Sequence, residues 1–149
     1  MSILGVEQLV YGVDDLDAAM RFQEDWGLEK SEAGAGGADY RLCNDTMVKL
    51  RLATDKGLPP ATIRWLPHLN RSTLREAIWS VDSAASLAAI GAELSRDREV
   101  VTDAQGVLHC VDDMGFHIGF AVTRRKEIVL ELPRPNTLGN YVRRNQQPD

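Results

Sequence analysis

The chain has 149 residues, a net charge of −5, 44% hydrophobic and 26% charged residues. No apolar run approaches the roughly 20 residues that cross a bilayer as a helix, which excludes a helical membrane protein, and the length suits one domain or two small halves. The opening residues MSILGVEQLVYGVDD lack the basic, apolar, small-residue order of a secretory leader, so a cytoplasmic location is expected. Cys43 and Cys110 are too few for a disulfide framework and lack metal-knuckle spacing, so both are expected as buried reduced thiols.

Gln8 to Val13 is a short run bounded by polar residues, which predicts a strand. Asp14 or Asp15 then caps a helix on which Leu16, Ala19, Met20, Gln23 and Trp26 share a face, with Gly27 as its stop. A variable strand follows, then Gly34-Ala35-Gly36-Gly37 as a flexible loop. Tyr40 to Ala53 reads as a hairpin turning at Asn44-Asp45. Lys56 to Ser72, with its prolines, Trp65 and His68, is a connection crossing the core. The order then recurs. Glu76 to Val81 predicts a strand, Asp82 or Ser83 a cap, and Leu87, Ile90 and Leu94 a helix face; Leu108 to Ala121 predicts a hairpin turning at Asp112-Asp113.

The recurrence keeps an offset of 68 without a gap. Val13 meets Val81, Asp14 meets Asp82, Asp45 meets Asp113, and Leu50 meets Ile118. A repeat fixes architecture before any single motif does. The expected class is α+β, two tandem βαβββ units curving a mixed sheet into a cup with helices on its outer face. Residues 1–123 are expected to form the domain, with unit one at 4–55, the connection at 56–72 and unit two at 73–123. Eleven Lys and Arg oppose nineteen Asp and Glu there, a net of −8, whereas residues 124–149 hold six against three, a net of +3. That basic, Pro-containing segment reads as a tail or connector. An acidic body without interleaved aromatic and basic residues argues against nucleic-acid binding.

Strand alternation sorts the side chains into two faces. Leu9, Tyr11, Val13, Val48, Leu50, Leu52, Ala77, Trp79, Val81, Phe116, Ile118 and Phe120 make an apolar set under the helices. The opposite face is more polar and is expected to line the cup. It carries Gln8, Lys49, Arg51, Glu76 and His117 as candidate ligand-binding residues.

Two βαβββ units, each opening with a strand, Val-Asp and a helix, resemble the vicinal oxygen chelate superfamily over residues 4 to 123. That superfamily includes glyoxalase I, bleomycin and fosfomycin resistance proteins and type I extradiol dioxygenases. The resemblance implies a divalent metal at the base of the cup, held from the first and last strands of each unit. The corresponding positions carry Gln8 and Glu76 on the first strands, and Arg51 and Gly119 on the last. Two oxygen donors do not hold a divalent ion against water, and Arg51 brings a positive charge toward it. No metal is therefore expected. If one binds, Gln8, Glu76 and His117 are the weak candidates for Fe(II), Mn(II), Ni(II) or Zn(II), and the resemblance then implies an active enzyme with extradiol-dioxygenase-like or glyoxalase-like lyase or isomerase chemistry.

The same residues admit a structural reading in which Arg51 pairs with Glu76 across the cup, Lys49 nearby. They also admit a metal-free binder of a small aromatic or anionic molecule through Lys49 and Arg51. His109, placed by the offset opposite Arg41, can face cup or solvent. Nucleophile elbow, P-loop and dinucleotide motifs are absent from the sequence. The hairpin DYRLCNDTMVKLRLA resembles that of the N-terminal domain of extradiol dioxygenases, which has lost its metal ligands. The resemblance thus implies either a further C-terminal domain or a homodimer; the absence of a long apolar run gives no expectation of a membrane partner.

Overall fold

The computed structural model describes residues 2–61 and 72–128. Unit one comprises β1 (Ile3–Val13), α1 (Leu16–Asp25), β2 (Glu29–Gly34), β3 (Gly37–Arg41) and β4 (Met47–Leu52). Unit two comprises β5 (Thr73–Val81), α2 (Ala84–Leu94), β6 (Val101–Thr102), β7 (Leu108–Val111) and β8 (His117–Val122). The strands form one mixed sheet in the order β2-β3-β4-β1-β5-β8-β7-β6. At its centre β1 and β5 run antiparallel, while β4 lies parallel to β1 and β8 parallel to β5. The strand order therefore reads alike from either edge, and the paired βαβββ architecture is observed.

The helices start where short polar side chains satisfy their free N–H groups. Asp15 accepts from Ala18 N at 2.9 Å, and Ser83 accepts from Ser86 N at 3.2 Å, which decides both capping alternatives. Gly27, at φ 91°, ends α1. Each helix covers its own half of the sheet. Val13, Ala38, Tyr40, Val48 and Leu50 pack with Leu16, Ala19 and Met20 of α1. Val81, Ile90, Cys110 and Phe120 pack with Leu87 and Leu94 of α2.

Four expectations about burial and loops are corrected. Trp26 is 70% exposed, because it caps the end of α1 and its ring lies against Phe22 on the outer side. Trp79 and Phe116 are partly exposed and belong to neither core cluster. Cys43 is exposed in the β3–β4 turn, while Cys110 is buried; both thiols are free. Gly34 to Gly37 is a tight β2–β3 hairpin in which Gly34 and Gly37 pair, and not a loose loop.

The repeat carries a two-residue insertion that the constant offset hid. Val13 pairs with Leu52, and its counterpart Val81 pairs with Val122. Tyr40 pairs with Val48, and Cys110 with Ile118. The offset is thus 68 for the first strands and helices but 70 for the hairpins. The turns agree, since Asp45 and Gly115 both take positive φ, 66° and 89°. A two-residue shift keeps every side chain on its face, so alternation could not reveal it. In the corrected register Arg51 corresponds to Ala121, Lys49 to Gly119, and Asp39 to His109.

Candidate functional site

The polar face of the sheet encloses a cup of about 800 Å³, a volume suited to a small organic ligand. Its lining includes Gln8, Lys49 and Glu76, as alternation predicts, and also Asp39, Asp103 and His109. Neither Arg51 nor His117 lines it. Lys49 and Glu76 both pair with Val10, so they sit two strand spacings apart, roughly 10 Å, with β1 as the floor between them. Gln8, on the same strand, shares that floor.

On the unit-two wall, His109 joins two carboxylates. Its Nδ1 lies 2.7 Å from Glu76 Oε1 and its Nε2 lies 3.2 Å from Asp103 Oδ2. Ionised carboxylates only accept hydrogen bonds, so satisfying both requires both ring nitrogens to donate, which is the imidazolium form. Burial pulls the His109 pKa down, but the bonds to Glu76 and Asp103 outweigh it and hold it above the usual histidine value. Burial raises the Asp103 pKa, yet the N–H groups of Val107 and Gln105 together with His109 hold it below the usual value. Asp103 Oδ1 accepts from Gln105 N at 2.8 Å and Val107 N at 2.9 Å, so one side chain shapes the β6–β7 loop and positions the histidine.

On the unit-one wall, Arg51 takes Asp39 at 2.5 Å and leaves Lys49 at 3.9 Å from the same carboxylate. The expected Arg51–Glu76 pair is therefore replaced by Arg51–Asp39 and His109–Glu76. Register explains this: Arg51 lies opposite Gly12 on one side and Gly37 on the other, beside Asp39 on β3, whereas Glu76 sits two strands from β4. The chain after β8 also lines the cup. Glu7 accepts from Thr123 Oγ1 at 3.1 Å and Arg124 N at 2.9 Å, while Lys126 N donates to Asn44 O at 3.0 Å.

These residues do not fit a divalent metal. In the corrected register Lys49 matches Gly119 and Arg51 matches Ala121, so either pair of last-strand positions offers a cation and a residue without a ligating side chain. Glu76, a first-strand position, is already engaged by His109 Nδ1 at 2.7 Å. Among the described residues no group of three or more His, Cys, Asp or Glu converges to hold an ion. Gln8 and Glu76 reach the cup, but His117 does not join them.

Solved structures with similar folds place this cup in a family of shapes. The chain matches a Mn(II)-bound glyoxalase from Novosphingobium aromaticivorans at 19% identity and TM-score 0.62, covering 89% of this chain and 43% of that one. It matches homoprotocatechuate 2,3-dioxygenase from Arthrobacter globiformis at 18% identity and TM-score 0.64, covering 85% and 38%. The fold is that of the vicinal oxygen chelate superfamily. A methylmalonyl-CoA epimerase from Mycobacterium tuberculosis has the same fold, at 14% identity and TM-score 0.56, covering 81% and 89%. The chain spans less than half the length of the glyoxalase and dioxygenase chains it matches. No family model and no curated protein matches the sequence. No helix among the described residues is long and apolar enough to cross a membrane.

Sequence reasoning placed Gln8 and Glu76 in the cup but missed Asp39 and Asp103 and left His109 undecided. Alternation carried the missing signal in part: Asp39 and Arg41 alternate with the buried Ala38 and Tyr40, so they face the cup side. His68 and Trp65, and the tail from residue 129 on, lie outside the described residues.

Proposed function

We propose that this domain binds a small organic molecule in its cup without a metal. The carrying observation is Glu76 held by His109 on one wall, while the equivalent last-strand pairs Lys49/Gly119 and Arg51/Ala121 each offer a cation and a residue without a ligating side chain. A cavity of about 800 Å³ with polar groups on both walls supports a binding role over a purely structural one. The location is proposed to be the cytoplasm, and the active species to be a homodimer or a unit joined to a second domain. The second-domain alternative is supported by the partial coverage of the dioxygenase and glyoxalase chains.

Equilibrium dialysis against Mn(II), Fe(II), Ni(II) and Zn(II), paired with a thermal-shift screen of small aromatic and anionic compounds, tests the proposal. Expected are stabilising hits among the organic compounds and no stoichiometric metal. Metal uptake at one equivalent that vanishes in Glu76→Ala would overturn it in favour of an active metal enzyme of the same fold. Sedimentation equilibrium of the full chain tests self-association, and a monomer at all concentrations excludes the homodimer.

A further inference from the structure

We propose that the ligand of the cup is a small organic monoanion, a carboxylate or its equivalent, clamped between Arg41 and Lys49, with a neutral or cationic far end. The proposal rests on the metal-free reading of the cup and adds the chemistry of what enters it. Two ion-pair clusters on the unit-one wall share one asymmetry. Asp39 is claimed by Arg51 at 2.5 Å, and Asp45 by Lys126 at 2.8 Å; neither cation lines the cup. Of the Lys and Arg side chains that do line it, Arg124 lies after β8 with its backbone N–H on Glu7, while Lys49 and Arg41 share the unit-one hairpin and each lie 3.9 Å from those same carboxylates. That separation exceeds hydrogen-bond length, so their N–H donors remain available to a ligand.

Position supports a shared ligand. Lys49 pairs with Asp39 and Met47 with Arg41, which makes Arg41 and Lys49 diagonal neighbours on one face of the β3–β4 hairpin. Diagonal neighbours are separated by about 7–8 Å, within the joint reach of two long side chains around one carboxylate. A guanidinium fork and an ammonium provide directed and undirected charge-assisted bonds to such an anion. The floor next to them offers Gln8. Beyond it, the two carboxylates of Glu76 and Asp103 flank the one ring of His109, so that wall is net negative whether or not the ring is protonated. A second anion at the far end meets repulsion there, whereas an amine or hydroxyl meets acceptors.

Nuclear magnetic resonance titration of the full chain at low ionic strength with benzoate, terephthalate and 4-(aminomethyl)benzoate tests this, since the three probes share a ring and differ at the far end. Expected is the affinity order 4-(aminomethyl)benzoate, then benzoate, then terephthalate. Arg41→Gln and Lys49→Gln should each weaken benzoate by about tenfold, with thermal melting confirming that both variants fold. Arg96→Gln, on the outer surface at the end of α2, controls for net charge and should leave binding unchanged. Binding that survives in the Arg41→Gln, Lys49→Gln double variant, or that depends on Arg124 instead, overturns the clamp while leaving a metal-free cup standing. No binding by any probe, or terephthalate as the tightest, also overturns it. Stoichiometric Mn(II) uptake overturns the underlying reading itself.

Discussion

Gly119 and Lys49 occupy equivalent positions in the two units: Gly119 pairs with Ile78 as Lys49 pairs with Val10, one residue without a side chain and the other with a cation. Their difference separates the walls of the cup. A Cβ at Gly119 would lie 3.0 Å from Leu108 O and 3.1 Å from Ile78 Cγ1, so the strand between His109 and Glu76 is packed down to backbone. Gly119→Ala is expected to destabilise the fold by about 1–3 kcal/mol through overpacking. Urea unfolding measures it, and an unchanged midpoint would show that β8 has room to give.

His109 makes stability depend on pH in a definite direction. Its folded pKa lies above the ordinary 6.5, so the contribution of the protonated ring is complete below that value and is lost as pH rises through the raised folded pKa. Asp103 acts oppositely, since its pKa is lowered from 3.8: its contribution is present above that value and is lost as pH falls through the folded one. The stability advantage of the wild type over His109→Gln should therefore peak at mildly acidic pH and shrink toward alkaline pH. Urea unfolding of both proteins across the pH range checks this; a constant difference contradicts the charged ring.

Asp103→Asn separates the loop from the charge. The amide oxygen still accepts from Gln105 and Val107, but a side-chain N–H then faces His109 Nε2 and favours a ring nitrogen without its proton. The His109 pKa should fall, as read from its imidazole resonances, with the loop amides little shifted.

Tyr40 ties unit one to its helix. The ring is fully buried, and its hydroxyl lies 3.1 Å from Glu24 Oε1 and 3.3 Å from Met20 O. Burial, with Glu24 beside it, pushes the phenol pKa up to about 12. Tyr40→Phe should cost about 1 kcal/mol, the usual net value of one hydrogen bond. In the wild type, ultraviolet titration should show a phenol that ionises only near pH 12, and Tyr40→Phe should remove it.

The caps are the simplest local test. Asp15→Ala removes the acceptor for Ala18 N and should cost about 1 kcal/mol, and Ser83→Ala should cost a similar amount in α2. Because the two helices cover separate core clusters, the effects should add in the double variant, as urea unfolding can show.

The architecture was readable because periodicity encodes it. Val13 and Val81, the capping residues after them and the alternation in each hairpin locate both units without tertiary information. The insertion of two residues before the second hairpin was not readable, because period-two alternation returns the same face after two steps. Only the turn residues recorded it, in the positive φ shared by Asp45 and Gly115. The wrong equivalence set Arg51 against Gly119 when its counterpart is Ala121, and set His109 against Arg41 when its counterpart is Asp39. Partner choice was likewise hidden: Glu76 goes to His109 and not to Arg51 because of which strands lie adjacent, and adjacency is a property of the sheet order.

The most direct test of a metal-free cup is a pair of titrations on one isotope-labelled sample, followed through the backbone amides of Gln8, Lys49, Glu76 and His109. Benzoate should move these resonances, whereas one equivalent of paramagnetic Mn(II) should leave their intensities unchanged. Selective loss of these signals at stoichiometric Mn(II), with no response to benzoate, would contradict the account.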